Sequence, residues 1–256
     1  MKADAYVLHL ERAVARRDNA QSLVWACEDA GLGSELWPAV DGDAVPQAEL
    51  DRVVGADLMD PPYPFALRPG EIGCFLSHRQ IWAEMQVRDA PAALIIEDDA
   101  RIAPAPFLVA LRMALHQIEK LGYIQLQTRG PRGPSRLVDS SGASRLIVPQ
   151  LGGLRTTAQV VSRAAADHLL RHSGSFDRPV DTFVQAHWYT GMRPAMIFPS
   201  GVFEIGAELA GSTIQKGTAP VLSKLKREVS RTWFRAGVAR LSKRSTAPAG
   251  GGLDEQ

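Results

Sequence analysis

Two cysteines in 256 residues, Cys27 and Cys74, are too few for a disulfide framework and point to a reducing compartment. The opening M-K-A-D-A-Y-V-L-H-L-E-R has no apolar segment of signal-peptide length. No apolar run reaches the ~20 residues that a membrane-spanning helix needs. Neither G-x-G-x-x-G nor G-x-x-x-x-G-K-S/T occurs, which argues against dinucleotide-dependent dehydrogenases and P-loop kinases. Net charge is nearly absent as well, at +1. What remains, 45% hydrophobic and 22% charged residues, is the composition of an ordinary globular chain long enough for a sizeable core.

The small net charge hides an asymmetry. Between residues 223 and 244 stand Lys224, Lys226, Arg227, Arg231, Arg235, Arg240, Lys243 and Arg244 against Glu228 alone, so a slightly acidic body carries a basic extension. Leu222, Leu225, Val229, Trp233 and Ala236 repeat there at helical spacing. A basic amphipathic helix bearing Trp233 and Phe234 suits an anionic membrane surface. The alternative is a stripe that packs on the body with its charges simply solvated. No nucleic-acid reading module is present, and no nucleic-acid partner is expected.

Ala92–Ala100, A-A-L-I-I-E-D-D-A, is the most informative stretch. Its apolar run fits a strand buried on both faces, and Glu97, Asp98 and Asp99 then stand where that strand leaves the core. Open α/β sheets bind ligands at that end. Two like charges about 4 Å apart cost roughly 1 kcal/mol in water and about 4 kcal/mol at an effective dielectric near 20. A divalent cation bridging carboxylate and phosphate oxygens would relieve this repulsion, and solvated acids at a strand exit are the plainer reading.

Around this strand the chain alternates strand and helix, as βαβ units do. Strands are expected at Tyr6–Leu10, Leu36–Val40, Tyr123–Gln127, Leu146–Val148, Ala158–Ser162 and, last in the body, Ala195–Phe198. Helices are expected at Asn19–Ala30, from Glu71 to about Arg88, and at Ala105–Leu121, Arg163–His172 and Pro179–Tyr189. Thr128–Gly142, with its glycines, prolines and arginines, reads as a mobile loop. In the helix after Gly70, Glu71, Cys74, Phe75, His78, Trp82 and Met85 share one side.

Six segments in this order resemble glycosyltransferase family 25: L-H-L-E-R (8–12), A-V-D-G (39–42), G-E-I-G-C-F-L-S-H-R-Q-I-W (70–82), L-I-I-E-D-D-A (94–100), T-T-A-Q-V-V-S (156–162) and P-V-D (179–181). That family contains bacterial lipopolysaccharide and animal collagen galactosyltransferases. The resemblance covers residues 5–205. It implies a GT-A-type, Rossmann-like α/β fold with a mostly parallel sheet flanked by helices, followed here by a basic C-terminal helix. It does not reach the tail; with the charge pattern and the Gly-, Ala- and Ser-rich end, the expected division is 1–206 for the transferase body, 207–244 for the basic extension and 245–256 for a disordered tail.

The resemblance also implies a UDP-sugar donor, a Mn²⁺ or Mg²⁺ cofactor and inverting transfer, with galactose the expected sugar and a cell-envelope saccharide or glycolipid the acceptor. Asp99 is the first metal candidate, with Glu97 beside it, and Glu97 or Asp98 would face the donor. Leu8, Arg12, Arg17, Asp41, Glu71 and His78 complete the expected donor site; an arginine there can grip a phosphate through two hydrogen bonds. Asp181, with Glu204 as the alternative, is the candidate base for the acceptor hydroxyl. Asp181 also suits a helix N-terminus, Asp41-Gly42 a turn, and His78 a half-buried structural role beside Trp82. Arg155 and Gln159 stand where the family often has a glycine and an aromatic. The expected location is cytoplasmic, peripheral to the inner face of the cytoplasmic membrane. A non-catalytic sugar-nucleotide or glycan-binding protein is the alternative reading.

Overall fold

The computed structural model describes residues 3–209 and 221–249. The chain opens with β1 (Asp4–His9), α1 (Arg17–Asp29), β2 (Gly33–Pro38), α2 (Gln47–Val53), α3 (Pro69–Val87) and β3 (Ala92–Glu97). It continues with β4 (Ala100–Ile102), α4 (Pro104–Leu121), β5 (Tyr123–Leu126), β6 (Ser135–Ser141), β7 (Ser144–Pro149), β8 (Ala158–Ser162) and α5 (Arg163–His172). It closes with α6 (Val180–Gln185), α7 (His187–Thr190), β9 (Ala195–Phe198), β10 (Val202–Glu204), α8 (Gly206–Leu209) and α9 (Val221–Arg244).

Eight strands form one sheet in the order β2-β1-β3-β8-β5-β9-β7-β6, in which β7 and β8 run against the other six. This is the expected α/β sheet, mostly parallel in strand direction. The period-two alternation of a strand divides its side chains between two cores. Leu94 and Ile96 of β3 meet Leu23 and Val24 of α1 and Phe107 and Leu111 of α4. Ala93 and Ile95 face the other way, into Phe75, Ile81, Trp82 and Met85 of α3 and Phe183 of α6. Both faces are covered, which is why β3 is apolar from Ala92 to Ile96 rather than alternating.

The A-V-D-G and G-E-I-G-C segments meet here. A methyl group on Gly73 would stand 2.4 Å from the Val40 carbonyl oxygen, and one on Gly42 only 1.7 Å from that of Pro69. The loop after β2 therefore lies directly on the first turn of α3. Ser77 clamps it, accepting from the Val40 N–H (2.8 Å) and donating to the Gly73 carbonyl (2.7 Å). Bare backbone at both glycines is what allows the approach.

Several expectations need correction. Thr128–Gly142 is not all loop, because β6 pairs with β7 as a hairpin turning at Gly142 (φ 57°). β6 is an edge strand with no buried residue, mostly polar and with even Leu137 exposed, so it lacks the alternation that marks a half-buried strand. The single helix expected over Pro179–Tyr189 breaks at Ala186 (ψ 55°) into α6 and α7. Ala195–Phe198 is not the final strand, since β10 follows and pairs antiparallel with β4; three residues are too few to show a period. Residues 245–249, expected to be disordered, have defined partners: Arg193 donates to the carbonyls of Ser245 and Ala247 and, from its backbone, to that of Pro248. Residues 250–256 lie outside the described residues.

The basic extension is helical, as expected, but its packed face differs from the stripe read in the sequence. Val238 and Ser242 are buried against the body, and Phe234 packs edge-on to Tyr63 at 5.4 Å. Val229 and Trp233 stay exposed at 49% and 76%. The side chains of Leu222 and Leu225 lie outside the described residues. No helix among the described residues is long and apolar enough to cross a membrane.

Gly73→Ala forces backbone apart at the contact between α3 and the 39–42 loop. It is expected to destabilise the chain by about 1–3 kcal/mol, as overpacking does. The check is a lower urea midpoint at unchanged m-value.

Candidate active site

β1 and β3 end side by side, with Leu8 in register with Glu97. Beyond them opens a cleft of about 440 Å³, lined from one side by Leu8, Arg12 and Arg16, from another by Val40, Gly70 and Cys74, and floored by Glu97, Asp98 and Asp99. It sits outside the carboxyl ends of parallel strands, where the sequence places it.

The three acids have different surroundings. Asp98 is buried, with one oxygen taking the His9 Nδ1–H at 2.8 Å and the other the Arg16 guanidinium at 3.1 Å. Asn19 holds the turn by donating to the carbonyls of Asp98 (2.7 Å) and Ala100 (2.8 Å). Asp99 lies 3.6 Å from the same Arg16 guanidinium, while its Oδ1 is buried with no hydrogen-bond partner among the described residues. Burial, only partly offset by Arg16, raises its carboxyl above the usual range. Its Oδ2 would stand 2.8 Å from any Cβ placed on Gly206, so the backbone after β10 closes over this carboxylate.

Glu97 turns towards α3 and the segment before β8, accepting from the Thr156 hydroxyl at 2.6 Å and the Cys74 thiol at 3.8 Å. Burial first, then the charge of Asp99, lifts its pKa to about 7 against the hydrogen bond from Thr156. Among the described residues, no group of three or more His, Cys, Asp or Glu side chains is arranged to hold a metal ion.

Two further carboxylates meet at Arg155. Its backbone N–H donates to Asp181 at 3.0 Å, and its guanidinium pairs with Glu204. Arg155 has φ 82°, a conformation that side-chain-bearing residues rarely adopt and that clusters at functional sites. Asp181 also accepts from the Thr182 N–H (2.6 Å) and hydroxyl (3.1 Å) in the first turn of α6. It belongs to the acidic surroundings of Glu97 but does not line the cleft.

The other expected donor residues divide. Leu8 and Arg12 line the cleft, and Arg12 is paired with Asp41 (2.8 Å) and Asp43. Arg17 is exposed at the start of α1; the turn at Val14–Arg16 aims Arg16 inward instead. Glu71 caps its own helix, accepting from the Arg68 N–H at 2.8 Å. His78 shares the predicted helix side with Glu71 but lies deep under the sheet. Its Nδ1–H donates to the Cys74 carbonyl (2.9 Å), and its Nε2 accepts from Gln159 (3.0 Å). Burial pushes its pKa down to about 4, so the ring is neutral and structural. Sequence reasoning missed His9, Arg16 and Asn19. The only available signal was their position on the first strand–helix turn, opposite the acids.

The sequence model for glycosyltransferase family 25 (LPS biosynthesis protein) matches residues 2–131, from β1 through the acidic cluster and α4. The chain belongs to glycosyltransferase family 25. A glycosyltransferase 25 family member from Drosophila pseudoobscura pseudoobscura is 38% identical over 104 residues, 39% of this chain and 16% of that protein. Human procollagen galactosyltransferase 2 is 34% identical over 103 residues, 38% of the chain and 16% of its own length. Human inactive glycosyltransferase 25 family member 3 is 35% identical over 102 residues, again 16% of its length. The chain thus spans about a sixth of these relatives. Among solved structures, mannose-1-phosphate geranyltransferase from Thermus thermophilus aligns over 77% of the chain and 74% of its own at 12% identity. Its TM-score of 0.35 is too low to bear on function.

A carboxyl raised from 4.5 to about 7 leaves a testable mark on stability. Between those values the folded chain keeps a proton that the unfolded chain releases, so Glu97's contribution falls as pH rises through this window. Glu97→Gln is expected to flatten the pH dependence of unfolding free energy between pH 5 and 8 by about 1–3 kcal/mol relative to the parent chain. Urea titrations at both pH values measure it.

Proposed function

We propose that the chain is a metal-dependent, inverting glycosyltransferase that moves a sugar, galactose by family, from a UDP-sugar to a hydroxyl of a cell-envelope saccharide. The observation that carries this reading is the buried oxygen of Asp99, unpartnered among the described residues, on a residue that lines the cleft at the carboxyl ends of β1 and β3. An anionic oxygen so placed suits a cation. Mg²⁺ and Mn²⁺ need no closed cage of side chains, since one or two carboxylates together with substrate phosphates and water hold them.

Asp99, with Glu97 two residues before it, would hold that ion. A divalent ion supplies Lewis-acid neutralisation of the charge that develops on the leaving diphosphate. Arg16, already bridging Asp98 and Asp99, and Arg12, on the cleft wall, add fixed positive charge for the same phosphates. Leu8 and Val40 give the nucleotide an apolar wall. Asp181, oriented by Arg155 and Thr182, would accept the proton of the attacking hydroxyl, with Glu204 across Arg155 as its alternative. Galactose as the sugar is supported by the name of the procollagen relative, and an envelope acceptor by the family description.

A binding protein without turnover is the second reading. Arg16 and Arg155 already answer much of the acidic charge, and relatives of similar identity include proteins named inactive. The two readings part in one experiment, thermal shift and sugar release with UDP-galactose, with and without Mn²⁺. Stabilisation together with Mn²⁺-dependent release supports the transferase, stabilisation alone supports the binder, and neither overturns both.

Asp99→Asn is expected to abolish the Mn²⁺-dependent shift and the release while leaving the circular dichroism spectrum unchanged. Normal turnover removes Asp99 from the metal site. Asp181→Asn is expected to retain the donor-induced shift and lose about 10²–10⁴-fold in transfer rate, the range for removal of a general base. A smaller effect in steady-state kinetics assigns Asp181 to the α6 terminus alone.

A further inference from the structure

Away from the cleft, α9 and the loop at Pro61–Pro64 enclose a second concavity of about 600 Å³. Its apolar rim is formed by Val229 and Trp233 on the helix and Pro61, Pro62 and Pro64 on the loop. Trp233 is 76% exposed, the most exposed large aromatic side chain among the described residues. A tryptophan so exposed beside a proline ridge is an apolar surface without a partner among the described residues. Packing on the body does not account for it, because Phe234, Val238 and Ser242 already make that contact from another side of α9.

The helix supplies the sign of the missing partner. Val229, Trp233, Arg240 and Arg244 follow at steps of four, seven and four, so they rise along one side of α9. Arg240 lines the same concavity, and Lys243 and Arg244 stand exposed beyond it. Glu228 is the single acid in the helix, and it is occupied by Arg231, which in turn lies over the Phe65 ring. The exposed side therefore presents an indole and prolines at one end and cations at the other. An indole inserting at headgroup depth beside cations that meet phosphates is how an interfacial helix binds a bilayer.

We propose that the exposed side of α9, with the Pro61–Pro64 ridge, docks on an anionic phospholipid surface. Trp233 and Val229 enter the interface, and Arg240, Lys243 and Arg244 contact lipid phosphates. Docking leaves the buried side of the helix in place, because the His187 ring meets the Ser242 (3.1 Å) and Ser245 (2.9 Å) hydroxyls and so ties the end of α9 to the body. The proposal is independent of the transferase reading, since it concerns a surface that shares no residue with the cleft.

The test is co-sedimentation of the full chain with vesicles of phosphatidylcholine alone and of phosphatidylcholine mixed with phosphatidylglycerol, at low and high salt. The expected result is binding to the mixed vesicles, little to the neutral ones, and weakening by salt. Replacing two cations in Arg240→Gln/Arg244→Gln is expected to weaken binding about tenfold to thirtyfold. Trp233→Ser, at an exposed position, is expected to weaken it at both salt concentrations without altering the dichroism spectrum. Equal uptake by both vesicle types, no uptake, or full binding by both variants overturns the proposal. So does a concentration-dependent dimer that Trp233→Ser abolishes, which would assign the surface to a second copy of the chain.

Discussion

Glu97, Asp98 and Asp99 follow one another out of the sheet, and their charges are met unequally, with Arg16 reaching both aspartates. Asp98 accepts hydrogen bonds from His9 and Arg16, which reach it from the first strand–helix turn. Glu97 is held by the Thr156 hydroxyl and shifted towards its protonated form. Asp99 keeps a buried oxygen without a partner among the described residues. Like charges this close are tolerable only because partners arrive from β1, from the following turn and from the segment before β8. The sheet order that sets β1 and β8 on either side of β3 is therefore an electrostatic requirement as much as a packing one.

The same geometry links the fold to its chemistry. The glycine contact between the 39–42 loop and α3 lays backbone along one wall of the cleft. Arg155, in its unusual backbone conformation, gathers two carboxylates distant in sequence, pairing its guanidinium with Glu204 and giving its backbone N–H to Asp181. A positive φ is easy for glycine and costly for arginine, so the arginine is kept here by the ion pair it makes.

The molecule also separates its two charged regions. The acidic floor of the cleft and the basic side of α9 share no residue, and α9 is attached to the body at Phe234 and Val238 and, near its end, through the His187 ring. Burial lowers the His187 pKa to about 4, which keeps this attachment uncharged at neutral pH.

Periodicity and composition were enough for β3 and its acids, for α5 and β8 to the residue, and for α3, α4 and α9 to within a residue or two at either end. In each of these a long apolar pattern or a sharp boundary residue carries the signal. The polar edge strand β6, the three-residue β10 and the break at Ala186 left no such pattern, because local sequence does not record which strand lies alongside. Within the site, the acids and Arg12 were legible from their place after strands. That Arg16 rather than Arg17 turns inward, that His9 pairs with Asp98, and that Glu71 caps a helix while His78 sinks beneath the sheet were decided by tertiary contacts across ~80 residues of chain or by a single turn of backbone. Side-chain type sets what a residue can bind, and only the packed fold sets what stands within about 3 Å of it.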